Sequence, residues 1–226
     1  IFVQQTWIAD KFVEFFNFNN CVIALPEEDE SIIKLQNNEV DKKNINDDVI
    51  FFYPTLPRTY KNLEIIFKSV NLLKKENIKG YKVIITVSIG ENKYLDYLLN
   101  KYGNPDEIEL CGRLQKTQMN AYYNGSDVLL FPSKLETWGL PIREAMSFHL
   151  PLLLVDHEYS RTTSNKYSKV CFFDMNSPLQ LSKIMREIVI HNDYTMFQDN
   201  NNVLAFNQKY DELISWKHLL DYIYCN

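Results

Sequence analysis

Glycine is scarce in this chain, with six among 226 residues, and neither the dinucleotide fingerprint GxGxxG nor the phosphate loop GxxxxGK[ST] occurs. Any phosphate must be held by something other than a glycine-rich loop. The four cysteines, Cys21, Cys111, Cys171 and Cys225, stand far apart with no CxxC or CxxH spacing, which argues against a zinc ribbon or a disulfide-exchange motif. They read as reduced core residues and imply a reducing, cytoplasmic compartment. The longest apolar run, residues 150–155, is interrupted by Pro151 and falls far short of the ~20 residues that cross a bilayer. A spanning helix is excluded, whereas peripheral attachment to the inner face of a membrane is not. Basic residues are in the minority: 24 Lys and Arg against 29 Asp and Glu give a net charge of −5. With no dense basic cluster to follow a phosphate backbone, no nucleic-acid partner is expected. No Asp-x-Asp triplet is placed to hold a metal on a diphosphate, so no metal is expected either.

What the chain does have is enough apolar and aromatic content, 46% and 14%, for a substantial core. Extended apolar runs alternate with helical ones, the pattern of a parallel sheet covered by helices. Residues 1–4 and 21–25 read as strands around a helix at 7–16, and the acidic, Asn-rich stretch 26–48 reads as a linker. Regular alternation follows, with strands at 49–53, 82–87, 108–111, 128–131, 151–155 and 170–173. Helices fall between them, around 63–73, 94–102, 119–122, 141 onward and 178–190, with terminal helices near Val203 and Trp216. This is a doubly wound Rossmann-like α/β domain, which binds ligands outside the carboxyl ends of its strands.

The loops at that edge carry the chemistry. Residues 131–146, FPSKLETWGLPIREAM, cross from a strand end into a helix that Pro141 can start. Glu136 on the loop and Glu144 in the first turns lie eight residues apart and can both face a cleft. Between them, the amides of Trp138, Gly139 and Leu140 stand at the positive end of the helix, a ready anion site. A carboxylate accepts the hydrogens of a vicinal diol and repels phosphate, which the amides attract. Together they suit a ligand with sugar hydroxyls and a phosphate.

The segment resembles the family 4, or group 1, glycosyltransferases of the GT-B fold, whose donor-binding domain carries P-S-x-x-E-x-[FW]-G-L-P-x-x-E-A-[MA]. Pro132, Ser133, Glu136, Trp138, Gly139, Leu140, Pro141, Glu144, Ala145 and Met146 occupy that pattern. Residues 51–63 are similar to the family's strand, basic loop and helix, in which two cations grip the donor diphosphate. Lys61 matches the family lysine, while the usual Gly-Arg falls on Thr55 and Leu56, leaving Arg58 as the substitute cation. A guanidinium and an ammonium neutralising a leaving diphosphate would favour its departure without a metal. Residues 108–115, with Leu110, Gly112 and Leu114, resemble the strand and loop that hold the base against main chain. The resemblance places Thr137 with Trp138, Gly139, Leu140 and Glu144 among the donor-binding residues, and Glu136, Lys61 and Arg58 among the catalytic ones.

It implies the C-terminal half of a GT-B protein, with residues 1–22 as the last strand and helix of a mostly missing acceptor domain and 23–226 as the donor domain. The chain begins at Ile1 rather than a methionine, which fits a fragment that would transfer nothing alone. The implied activity is metal-independent, retaining transfer of a hexosyl group from a UDP-, GDP- or ADP-sugar to a glycan or lipid-linked glycan, in surface polysaccharide or glycan synthesis. Three alternatives remain. Paired carboxylates also occur in glycoside hydrolases, though these need no cationic loop; a nucleotide-sugar epimerase shares the architecture; and the displaced arginine would suit a non-catalytic binding module. His149, His157, His191 and His218 match no catalytic position. The apolar residues Phe2, Trp7, Ile8, Phe12 and Phe15 are expected to pack the first segment onto the donor domain or a neighbouring molecule.

Overall fold

The computed structural model describes residues 1–18, 20–25, 48–199 and 213–215. Its main body is a six-stranded, all-parallel sheet built from β3 (Val49–Tyr53), β4 (Tyr81–Ile85), β5 (Ile108–Leu110), β6 (Val128–Phe131), β7 (Leu152–Val155) and β8 (Val170–Phe173). The strands lie in the order β5-β4-β3-β6-β7-β8. The chain therefore travels outward from β3 to β5, returns across the sheet, and travels outward the other way from β6 to β8. Between β3 and β6 the direction reverses, which opens a crevice above their carboxyl ends. All four residues of β6 and of β7 are buried, as befits strands covered on both faces, which read as continuous apolar runs rather than alternating ones. Asp127 pins the register at the switch: its carboxylate accepts from the Ile50 amide at 2.7 Å, and its own amide donates to the Ile50 carbonyl at 2.9 Å.

Helices α2 (Leu63–Lys75), α3 (Lys93–Tyr102), α4 (Lys116–Asn124), α5 (Leu140–Ser147), α6 (Glu158–Thr163) and α7 (Pro178–His191) connect the strands. On α2, the residues Leu63, Ile66, Phe67, Val70 and Leu73 face the core, with Glu64 in the first turn and Lys74 and Lys75 in the last, the arrangement that complements a helix dipole. Helices α3 and α7 start on side-chain caps, Asn92 accepting from the Leu95 amide at 3.0 Å and Ser177 from the Gln180 amide at 3.2 Å. The six-residue α6 has no counterpart in the sequence reading. Its buried residues are Tyr159, Ser160 and Thr163, too few for a periodic apolar signal.

A smaller parallel sheet joins β1 (Phe2–Val3), β2 (Val22–Leu25) and β9 (Leu213–Ser215) in the order β1-β2-β9. Helix α1 (Thr6–Phe16) connects β1 to the turn before β2. The sequence reading contains no β9; of the terminal helices expected near Val203 and Trp216, both named residues lie outside the described ones. The cysteine reading holds for Cys21 and Cys171, which are buried free thiols, while Cys111 is half-buried; Cys225 is not among the described residues. The packing expected of the first segment is met only partly. Trp7 packs on the main core, and Ile8 and Phe12 on the small one. Phe2 and Phe15 are exposed, Phe15 at 68%.

An ion cluster at the edge of the main body makes the fold acid-sensitive. The Glu64 carboxylate accepts from the Tyr102 hydroxyl at 2.6 Å and from the Lys101 ammonium at 3.1 Å, and these contacts, with the Lys68 charge, hold its pKa down at about 2. A carboxyl near 4.3 when unfolded and lower when folded stabilises the native state above the unfolded value, and that contribution fades as the pH falls toward the folded one. The melting temperature should thus decline between about pH 5 and pH 2, and Glu64→Gln should flatten the decline. Parallel slopes for variant and parent in a pH series of thermal melts would contradict this.

Candidate active site in the crevice between β3 and β6

The loop leaving β3 is folded back onto its own strand. The buried Tyr53 hydroxyl donates to the Lys61 carbonyl at 2.7 Å, and residues Thr59–Lys61 form a 3-10 turn. Asn62 ends that turn at φ 56°, a left-handed conformation that asparagine tolerates, and its side chain donates to the Met175 carbonyl at 3.0 Å. The loop leaving β6 is joined to it through the Lys134 amide, which donates to the Tyr60 carbonyl at 2.7 Å. The Ser133 carbonyl in turn accepts from the buried Tyr159 hydroxyl at 2.5 Å. Two loops from adjacent strands are thereby held as one unit over the switch point.

At their junction the Lys61 ammonium and the Glu136 carboxylate form an ion pair. The side chains are only 15% and 14% exposed, and the ammonium lies 5.4 Å from the Tyr60 ring centre and 5.9 Å from that of Phe131. Contacts of this kind with ring faces favour a cation. Arg58, three residues earlier, is exposed and makes no ion pair with any described residue. The structure thus brings Lys61 to Glu136 and leaves Arg58 on the open side of the same loop.

Glu144 occupies a different setting. It is half-buried on α5 and accepts from the Tyr123 hydroxyl at 2.7 Å. Gly139 caps α5 at φ 75°, ψ 53°, in the left-handed region that glycine enters without strain; a Cβ there would also lie 3.1 Å from Ile142 Cδ1. The helix thus begins one residue before Pro141. Leu140 is 57% exposed, Thr137 is exposed, and Trp138 is half-buried with its carbonyl accepting from the Thr163 hydroxyl.

The third loop, after β5, is stitched to the one after β4. The Cys111 amide donates to the Ile85 carbonyl at 3.0 Å and the Gly112 amide to the Val87 carbonyl at 3.1 Å. Gly112 has φ 75°, and a Cβ on it would meet Ser88 Oγ at 2.9 Å, so glycine permits the close approach. Leu110 and Leu114 are half-buried against the main core. Thr86 Oγ1 accepts from the Thr55 amide at 2.7 Å and donates to the Thr55 carbonyl at 2.9 Å, tying the β4 loop to the β3 loop. The expected base loop, cationic loop and glutamate loop therefore rim one edge of one sheet. Tyr53 and Asn62, which hold the β3 loop in place, and Tyr123, which bonds Glu144, were not identified from the sequence; nothing in their spacing distinguishes them from ordinary core residues. Among the described residues there is no cluster of three or more His, Cys, Asp or Glu able to hold a metal ion, and no helix long and apolar enough to cross a membrane.

Residues 34–202 match the profile of the glycosyl transferases group 1 family. The chain belongs to that family. Its fold is also that of solved GT-B proteins. Sucrose-phosphate synthase from Thermosynechococcus elongatus superposes with a TM-score of 0.68 at 13% identity, over 99% of this chain and 57% of that one. The lipopolysaccharide outer core galactosyltransferase WaaB gives 0.64 at 11% identity, over 99% and 61%. A UDP complex of MnaA from S. aureus gives 0.56 at 18% identity, over 98% and 58%. The group 1 chain thus spans 57% to 61% of the length of these structures. No curated sequence matches it.

Proposed function

We propose that this glycosyltransferase chain is the donor-binding part of an enzyme that moves a hexosyl group from a nucleotide-diphosphate sugar to an acceptor, with retention at the anomeric carbon. The observation that carries the reading is the joined Lys61–Glu136 pair beside the N-terminus of α5, with Glu144 one turn further on. Lys61, with Arg58 reaching in from the open side, holds the diphosphate. The amides of Trp138, Gly139 and Leu140 add the positive helix end. Glu144 accepts the ribose hydroxyls, Glu136 faces the donor sugar or its phosphate, and Thr137 lies against the same sugar. The base rests on main chain at Leu110, Gly112 and Leu114.

In this arrangement the bond from the anomeric carbon to the diphosphate breaks as charge builds on the leaving oxygen, where fixed cations and amides stabilise it most. The acceptor hydroxyl attacks from the same face and passes its proton to the departing phosphate. The acceptor is a glycan or lipid-linked glycan held by the facing domain of the GT-B fold. The site works in the cytoplasm or on the inner face of a membrane, in glycan or surface polysaccharide synthesis. A non-catalytic binding module is the second reading, favoured by the hydrophobic Leu56, half exposed where the family's arginine is expected.

A thermal-shift series with UDP, GDP, ADP and their sugars tests the proposal. One nucleotide should raise stability by about 2.7 kcal/mol at a hundredfold excess over its Kd, and EDTA should leave that shift unchanged. No shift with any of them, or a shift lost in EDTA and restored by Mg2+ or Mn2+, would refute the site or its independence of metal. Turnover in the enzyme containing this chain decides between catalysis and binding alone.

A further inference from the structure

Tyr123 is nearly inaccessible, at 1% exposure, and sits in the last turn of α4. Its ring is stacked on Phe148 at 5.2 Å with 15° between planes, and meets Phe52 edge-on at 5.2 Å. Packed from two sides, the ring has little freedom to turn, and its hydroxyl has one described partner, the Glu144 carboxylate at 2.7 Å. Burial and the Glu144 charge both push the phenol's pKa well above its ordinary value, so the hydroxyl remains a proton donor.

A glutamate on the face of a helix has several rotamers open to it, and selecting one costs conformational entropy. A short hydrogen bond from an immobile phenol selects one in advance. It also uses little of what the carboxylate offers: an ionised carboxyl has about four acceptor positions, and the tyrosine occupies one. The remainder can take two hydroxyl hydrogens from a vicinal diol. Because the phenol is neutral, Glu144 keeps its charge for the ligand, unlike Glu136, whose partner is itself a cation.

We propose that Tyr123 is a positioning residue for the ribose of the sugar donor, aiming the Glu144 carboxylate at the 2′ and 3′ hydroxyls before the nucleotide arrives. This rests on the reading of Glu144 given above. A residue with this task sets how strongly the site prefers ribose to deoxyribose, and has no effect on how it grips phosphate.

The test is calorimetric titration of the whole chain with UDP, GDP and ADP, each against its 2′-deoxy counterpart, with inorganic pyrophosphate as the ribose-free control. The parent chain should prefer one ribonucleotide over its deoxy form about tenfold, the worth of a hydrogen bond to a charged group. Tyr123→Phe, which deletes only the hydroxyl, should reduce that ratio to about twofold and leave pyrophosphate affinity at the parent level. If Tyr123→Phe keeps the ratio while Glu144→Gln loses it, Glu144 binds ribose and the positioning role is wrong. If pyrophosphate affinity falls along with the ratio, Tyr123 merely supports the fold and the proposal is again overturned. If the parent binds none of the three, or binds them without regard to the 2′ hydroxyl, the ribose reading of Glu144 fails and takes this one with it.

Discussion

Lys61→Met should weaken nucleoside diphosphate binding by about 10- to 100-fold, the worth of charge-assisted hydrogen bonds at 1.5–3 kcal/mol, and should reduce turnover further still. Two effects add together. The substitution removes the ammonium proposed to meet the diphosphate, and it leaves the Glu136 carboxylate, 14% exposed, without its counter-charge. A buried carboxylate stripped of its partner is costly in itself and would repel the incoming phosphate. The double variant Lys61→Met/Glu136→Gln should accordingly bind the diphosphate better than Lys61→Met alone, an interaction of the kind that coupled neighbours show. Glu136→Gln alone should impair turnover more than nucleotide affinity, because Lys61 remains. Titration of all four proteins with UDP, GDP and ADP gives the comparison. Single-variant affinity within twofold of the parent would remove Lys61 from the diphosphate site.

Phe131→Ala should destabilise the fold by about 3–5 kcal/mol, the range for truncating a buried aromatic. Phe131 ends β6 at the centre of the sheet, with no exposed surface. Its ring meets Tyr53 edge-on at 5.5 Å and Tyr159 at 6.4 Å, and lies under the Lys61 ammonium. The two tyrosines are those whose hydroxyls hold the β3 and β6 loops in place, so the cavity opens directly beneath the site. A loss of this size is a large share of the ~5–15 kcal/mol that keeps a domain folded. Phe15→Ala, at an exposed position on α1, should change stability by no more than about 0.5 kcal/mol. Urea unfolding followed by circular dichroism measures both, and equal midpoints for the two variants would show that the core is not organised around β6 as described.

Both predictions concern residues that the sequence named for different reasons. Glu136 was legible because a loop after a strand, two carboxylates eight residues apart and a helix start with Pro141 form one local pattern, whereas Lys61 was singled out only by the resemblance of its loop to the family's cationic loop. Each part can be read within about fifteen residues. The same is true of the main sheet: runs such as VIFFY, VLLF and LLLV are apolar throughout because parallel strands are covered on both faces. Short elements were not legible. The six residues of α6 and the three of β9 are too short to carry a period, and β9 joins a sheet whose other strands lie nearly two hundred residues earlier.

By itself, then, the sequence determined the doubly wound α/β class and pointed to a candidate edge of the sheet with two glutamates on it, while the lysine came from the family resemblance. The class, the edge and the glutamates follow from local spacing, which the 2- and 3.6-residue periods of strand and helix impose on any chain that buries one face. The tertiary structure alone decided which charges meet. Lys61 and Glu136 are 75 residues apart and become neighbours because β3 and β6 pair at the switch point. Tyr123 reaches Glu144 across two helices, and Arg58 stays outside the pair that its loop-mate forms. Such contacts depend on strand order and on how helices lie over the sheet, and these are settled by the packing of the whole core rather than by any stretch of chain short enough to show a pattern.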